Sequence, residues 1–229
     1  MSAEFFNAIK QGDKEEIERR LLQDPGLIHA KEEGLTPIMA AAYHHEPAIA
    51  SFLAEKTGTL SIFEAAATGR LVPIIHLLAH DPELVNAYAE DGFQPLGLAC
   101  YFGHFDAAEY LVKAGASINS PSQNGLRAAP LQSAAAARHS RIVRMLLENG
   151  ADPSVREQGG YTPLHAAAQN GDEESIRALI FCGADINIKS DDGKLPIDLA
   201  IEAGHAKAAL LLEEGITRRF RVNRDPSNP

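Results

Sequence analysis

In the stretch SRIVRMLLENG, the apolar residues Ile142, Val143, Leu146 and Leu147 fall on one face of a helix, so the pattern predicts an amphipathic helix that stops at glycine. Ahead of it, PLQSAAAARH reads as a different kind of helix, opened by proline and filled with small alanines. This alternation recurs. YTPLHAAAQNGDEESIRALIFCGADIN (161–187) sets it out most fully: Thr-Pro opens a first helix, glycine ends it, a second helix follows, and a Gly-Ala-Asp turn leads onward.

With the proline slot as reference, the units start at Glu4, Pro37, Ser61, Pro95, Pro130, Pro163 and Pro196, at spacings of 33, 24, 34, 35, 33 and 33. Each recurring residue has a physical reason. Proline in a first helical turn loses no hydrogen bond and presets φ. Paired alanines such as Ala41-Ala42, Ala65-Ala66 and Ala167-Ala168 let neighbouring helices approach closely. Gly12, Gly69, Gly103, Gly171 and Gly204 supply the left-handed residue that ends a helix. One such unit cannot bury its own apolar face, so the units must stack.

In combination, TPLHAAAQNG, NGADPS, FCGADINIK and KAGASIN resemble the ankyrin repeat, over about residues 3 to 215. The resemblance implies an all-α repeat solenoid of about seven helix-turn-helix units with short β-hairpin fingers. First helices and fingers would line a concave groove, the usual surface in that family for binding other proteins. The domain expected is a single solenoid over 1–215, followed by a polar, Arg-containing tail over 216–229.

The spacing of 24 fits a lost part. Pro37 to Ala54 holds a full helix pair, and the nine residues missing before the next first helix match the length of one finger. EKTGT therefore reads as a tight loop near 55–60 where a finger is absent, since a break between domains favours a longer polar linker. In two units Asp-Pro replaces Gly-Ala-Asp, in LLQDPGLIHAK and LLAHDPELVNAY, and stops the helix by another device. His45 and Arg138 stand in glycine slots. They are either left-handed, at about 1–2 kcal/mol each, or part of a different turn. SPSQNGLRAAP carries two extra residues and predicts a longer finger.

Composition narrows the function classes. The chain has 229 residues, 45% of them hydrophobic, without an apolar run that approaches a bilayer span. An acidic N-terminus and two cysteines without metal-ligand spacing fit a reduced, cytoplasmic protein, with no membrane role expected. A net charge of −10 disfavours a phosphate backbone. The dense basic cluster is Arg218, Arg219, Arg221 and Arg224, read as part of a mobile polar end; a nucleic-acid role for it would make binding fall steeply with salt.

Candidate chemistry resolves mostly into structure. His165 in TPLH fits a role tying the helix start to its neighbours, as the resemblance implies, and no nucleophile pattern accompanies it. His104 and His205 follow helix-ending glycines. His76 and His80 share a helix face but lack a third ligand in sequence. Cys100 occupies a small buried slot, so its spacing from His104 reads as packing. Phosphate-loop, nucleophile-elbow and dinucleotide fingerprints are missing. The expectation is a non-enzyme without cofactor or metal.

A protein partner of unstated identity remains, bound by a chain expected to be monomeric. Carried onto the repeat, the resemblance points to Tyr43, His44, Tyr101, Phe102, Gln169 and Asn170 at first-helix ends, and to Tyr88, Phe93, Arg127 and Tyr161 on fingers. Phe93 and Tyr161 serve equally well as partner anchors or as packing between fingers. The missing finger is expected to open the groove between Tyr43 and Tyr101, with Ala67 and Thr68 as its floor. Two other readings stand beside this one. A small molecule or metal could use the notch near residues 43–80, through His44, His45, His76 or His80. End-to-end self-assembly would need apolar end faces, whereas QGDKEEIERR and EEGITRRF are charged.

Overall fold

The computed structural model describes the backbone of residues 2–222 and the side chains of residues 2–215. Among the described residues, fourteen α-helices form seven consecutive packed pairs. The first helices are α1 (Ser2–Lys10), α3 (Pro37–Tyr43), α5 (Ile62–Ala67), α7 (Pro95–Tyr101), α9 (Pro130–Ala136), α11 (Pro163–Gln169) and α13 (Pro196–Glu202). The second helices are α2 (Lys14–Gln23), α4 (Pro47–Thr57), α6 (Leu71–His80), α8 (Phe105–Lys113), α10 (Ser140–Glu148), α12 (Glu173–Phe181) and α14 (Ala206–Val222). Every predicted unit has its helix pair.

The chain divides into two compact units, Met1–Ala116 and Ser117–Pro229. In the first, α1, α3, α5 and α7 pack in succession; in the second, α9, α11 and α13 do. Buried alanines make this close stacking possible. Ala41, Ala65 and Ala66 are fully buried in the first unit, and Ala134, Ala135, Ala167 and Ala168 in the second. The second helices supply the larger apolar groups, such as Leu53, Ile74 and Leu111, then Ile142, Leu146, Ile176 and Leu179.

Among the described residues the fingers are turns, with no named strand. Ala89 N–H donates to the Phe93 carbonyl at 2.9 Å, Glu157 N–H to Tyr161 at 3.0 Å and Ser190 N–H to Lys194 at 3.0 Å. Glu32 and Leu35 form an isolated bridge. One such pairing per finger closes a turn without building a ladder, which is why the expected hairpins reduce to turns. The longer finger predicted before the fifth unit closes where Ser122 N–H meets the Ala128 carbonyl.

Residues 58–61 alone separate α4 from α5, and Gly58 turns the chain at φ 76°. Stacking continues through this short loop, because α5 packs on α3 on one side and α7 on the other. Glu64 makes the join. Its carboxylate accepts the Ser61 N–H at 2.9 Å and the Thr36 hydroxyl at 2.7 Å, tying α5 to the start of α3. His45 (φ 59°) and Arg138 (φ 63°) are both left-handed, so the helix-ending geometry survives without glycine.

The two Asp-Pro turns become short 3-10 helices, Pro25–His29 and Pro82–Asn86. Asp24 and Asp81 cap them by accepting the N–H groups of Gly26 and Glu83. At the C-terminus α14 runs to Val222, so the expected tail begins as helical backbone. Residues 223–229, with Arg224, lie outside the described residues.

Candidate functional site

In the first unit the end of α3 meets the end of α7. Tyr43 is the last residue of α3, Tyr101 the last of α7, and Phe102 caps that helix. The Tyr43 ring lies 5.3 Å from Phe102 and 6.4 Å from Tyr101, and those two are edge-on at 5.1 Å. All three side chains are half-buried. The Tyr43 hydroxyl donates to Asp91 Oδ2 at 2.7 Å. Burial raises the Tyr43 phenol well above its ordinary titration range, and the Asp91 charge adds to the shift.

The missing finger explains this contact. With only four residues joining α4 to α5, no hairpin intervenes between Tyr43 and the turn that holds Asp91. The expected open notch is therefore bridged by aromatic packing. His44, the C-cap of α3, is exposed beside the cluster. Tyr88 is half-buried. Phe93 covers α7: a β-carbon placed on Gly97 would lie 3.5 Å from its ring, which favours the packing role.

The second unit carries the other candidates. Tyr161 donates to Asp192 Oδ2 at 3.0 Å and stands edge-on to His165 at 5.4 Å, so it joins its own finger to the next. Arg127 is exposed at φ 54°, next to Leu126, whose carbonyl accepts the Gln158 N–H at 2.9 Å. Asn170 donates to the Ala136 carbonyl at 2.9 Å, linking the ends of α11 and α9, while Gln169 is exposed. In this unit Arg127 and Gln169 are the exposed members of the set; Tyr161 and Asn170 are largely committed to internal contacts. Asp91 and Asp192, the acceptors for Tyr43 and Tyr161, were missed by sequence reasoning, because carboxylates at turn tips are too common to single out.

The helix pairs from α5 onward fall within a stretch that matches a known family. The family described as ankyrin repeats (3 copies) matches residues 62–157 and 131–221. The chain belongs to the ankyrin-repeat family. It is similar to mouse ankyrin repeat and SAM domain-containing protein 6, at 34% identity over 102 residues. It is also similar to human BCL-6 corepressor-like protein 1, at 30% over 108 residues. These alignments cover 44% and 47% of this chain but only 11% and 6% of the relatives, so the likeness concerns a small part of each relative.

Ankyrin repeats are in general protein–protein interaction modules. His165 and His104 serve the repeat. Thr162 N–H and hydroxyl both donate to His165 Nδ1, at 3.1 and 2.9 Å, and Nε2–H donates to the Lys194 carbonyl at 3.1 Å. Burial lowers the pKa of His165, consistent with a neutral ring whose Nδ1 accepts. His104 Nε2 reaches the Ala67 carbonyl at 2.9 Å. A β-carbon on Gly69 would fall 2.5 Å from that ring, so this glycine is required for space as well as for φ. His80 Nδ1 bonds to the His76 carbonyl at 2.8 Å, and both side chains are exposed. Among the described residues no three His, Cys, Asp or Glu groups converge as metal ligands, and no helix is long and apolar enough to cross a membrane. Cys100 is fully buried and its thiol pKa is raised by desolvation.

Proposed function

We propose that this chain is a non-enzymatic interaction module, and that a partner protein docks on its first-helix ends around Tyr43, His44, Tyr101 and Phe102. The observation that carries the reading is the cluster of three half-buried rings at two helix ends, beside exposed His44. Rigid aromatics that are already packed lose little freedom when a partner covers them, which is what interface anchors need. Arg127 and Gln169 are the corresponding candidates in the second unit. The family match over 62–157 includes residues 116 and 117, so the repeat pattern of the sequence continues from the first unit into the second. The reading is of a cytoplasmic, monomeric adaptor, and a net charge of −10 disfavours nucleic acid as its partner.

The test is affinity capture from native lysate with the wild type beside a Tyr43→Ala/Tyr101→Ala variant, whose helical content is first matched by circular dichroism. A protein retained by the wild type and lost from the variant supports the reading. Equal retention moves the surface elsewhere.

A further inference from the structure

The first Asp-Pro turn leaves a feature on the other side of the repeat. The 3-10 helix Pro25–His29 packs against both α2 and α4. In the second unit, by contrast, α10 packs directly on α12 and α12 on α14. Beside the turn lies a cleft of about 610 Å³ lined by Glu18, Leu21, Leu22, Ile28, Phe52 and Lys56, with Pro25 and His29 at the turn itself. This volume falls within the range of small-molecule sites, ~300–1,000 Å³. Leu21, Ile28 and Phe52 pack against the core on one side and are only partly buried, so each keeps surface toward the cleft. Leu22 is 85% exposed, on a helix whose one buried residue is Ile17.

Two lysines stand on the Phe52 side of the cleft, and Glu18 lines it as well. The Lys14 and Lys56 ammonium groups lie 4.9 and 5.6 Å from the centre of the Phe52 ring. Lys14 has Glu18 at 3.9 Å. Lys56 has no carboxylate within ion-pair distance among the described residues, since the neighbouring Glu55 reaches instead toward Arg70. An ammonium held by an aromatic ring at the edge of an apolar trough is complementary to an anionic head on an apolar body.

We propose that this cleft binds a free medium-chain carboxylate, with its hydrocarbon against Leu21, Leu22, Ile28 and Phe52 and its carboxylate on Lys56. The inference stands apart from the aromatic cluster of α3 and α7, and either can fail without the other.

The test uses the full chain and decanoate, with decan-1-ol and decyltrimethylammonium as probes of equal chain length. Binding is followed by calorimetry and by amide shifts in a two-dimensional NMR spectrum. Decanoate is expected to shift residues around 18–29 and 52–56 and to bind at least about tenfold more tightly than either other probe. Lys56→Gln, at an exposed side chain, should remove that preference, and Leu22→Glu should weaken decanoate and decan-1-ol together. Equal binding of all three probes, an unchanged preference in Lys56→Gln, shifts confined to other residues, or no binding up to about 1 mM would each overturn the proposal.

Discussion

The hydroxyl of Tyr43 donates a 2.7 Å hydrogen bond to Asp91, 48 residues further along the chain. The joint between α4 and α5 is only four residues long and carries no finger, so the end of α3 reaches the turn before α7. The bond is made to a charged acceptor at a half-buried site, where such bonds contribute about 1.5–3 kcal/mol. Tyr43→Phe should therefore lower unfolding stability by about 1–2 kcal/mol, with ring packing intact. Urea denaturation followed by circular dichroism would read this as a lower midpoint with an unchanged slope.

Left-handed His45 and Arg138 give a prediction of opposite sign. At φ 59° and 63° a β-carbon is strained, and glycine carries none. His45→Gly and Arg138→Gly should each raise stability by about 1 kcal/mol, after allowing for the extra freedom of glycine in the unfolded chain. Gly69→Ala should do the reverse by about 2 kcal/mol or more, since strain at φ 67° adds to contact with His104. Thermal unfolding of the three variants checks the set.

His165 makes stability depend on pH. Burial lowers its folded pKa below the ordinary value of 6.5, so the unfolded chain binds the proton more readily. Its contribution is fully present above the unfolded pKa and is lost as pH falls through 6.5 toward the folded pKa. Gln132 occupies the equivalent slot of the preceding unit. His165→Gln should consequently flatten the stability profile between about pH 7.5 and 5.5 while leaving the helix pairs in place. A profile as steep as the wild type's would contradict this assignment.

The two cysteines should behave differently toward a thiol reagent. Cys182 is exposed at the end of α12, whereas Cys100 is fully buried in α7. One equivalent of Ellman's reagent should react promptly with the folded protein, and the second only on unfolding. Prompt reaction of both would mean that α7 opens readily.

The repeat was legible because its signals are local. Proline at helix starts, glycine at helix ends and alanine between them each act within one turn, so unit starts at 37, 95, 130, 163 and 196 coincide with observed first helices. The missing finger could be read from spacing alone. What it does to the groove could not, because the Tyr43–Asp91 contact depends on where two distant turns finish. The same holds for the cleft beside Phe52: Leu22 and Lys56 lie on different second helices, brought near each other by a turn whose sequence shows only that a helix stops. Tyr161 and Asn170 were legible as helix-end or finger residues, and their commitment to Asp192 and the Ala136 carbonyl appears only once the units are stacked.

The most direct measurement is site-specific photo-crosslinking in native lysate, with benzoylphenylalanine placed at His44 or, as a control, at Ala79 on α6. Both positions are exposed, so neither replacement disturbs the core. The account predicts a discrete crosslinked protein from position 44, competed by unlabelled wild type, and none from position 79. Crosslinking from position 79 alone would contradict it and place the partner away from the aromatic cluster.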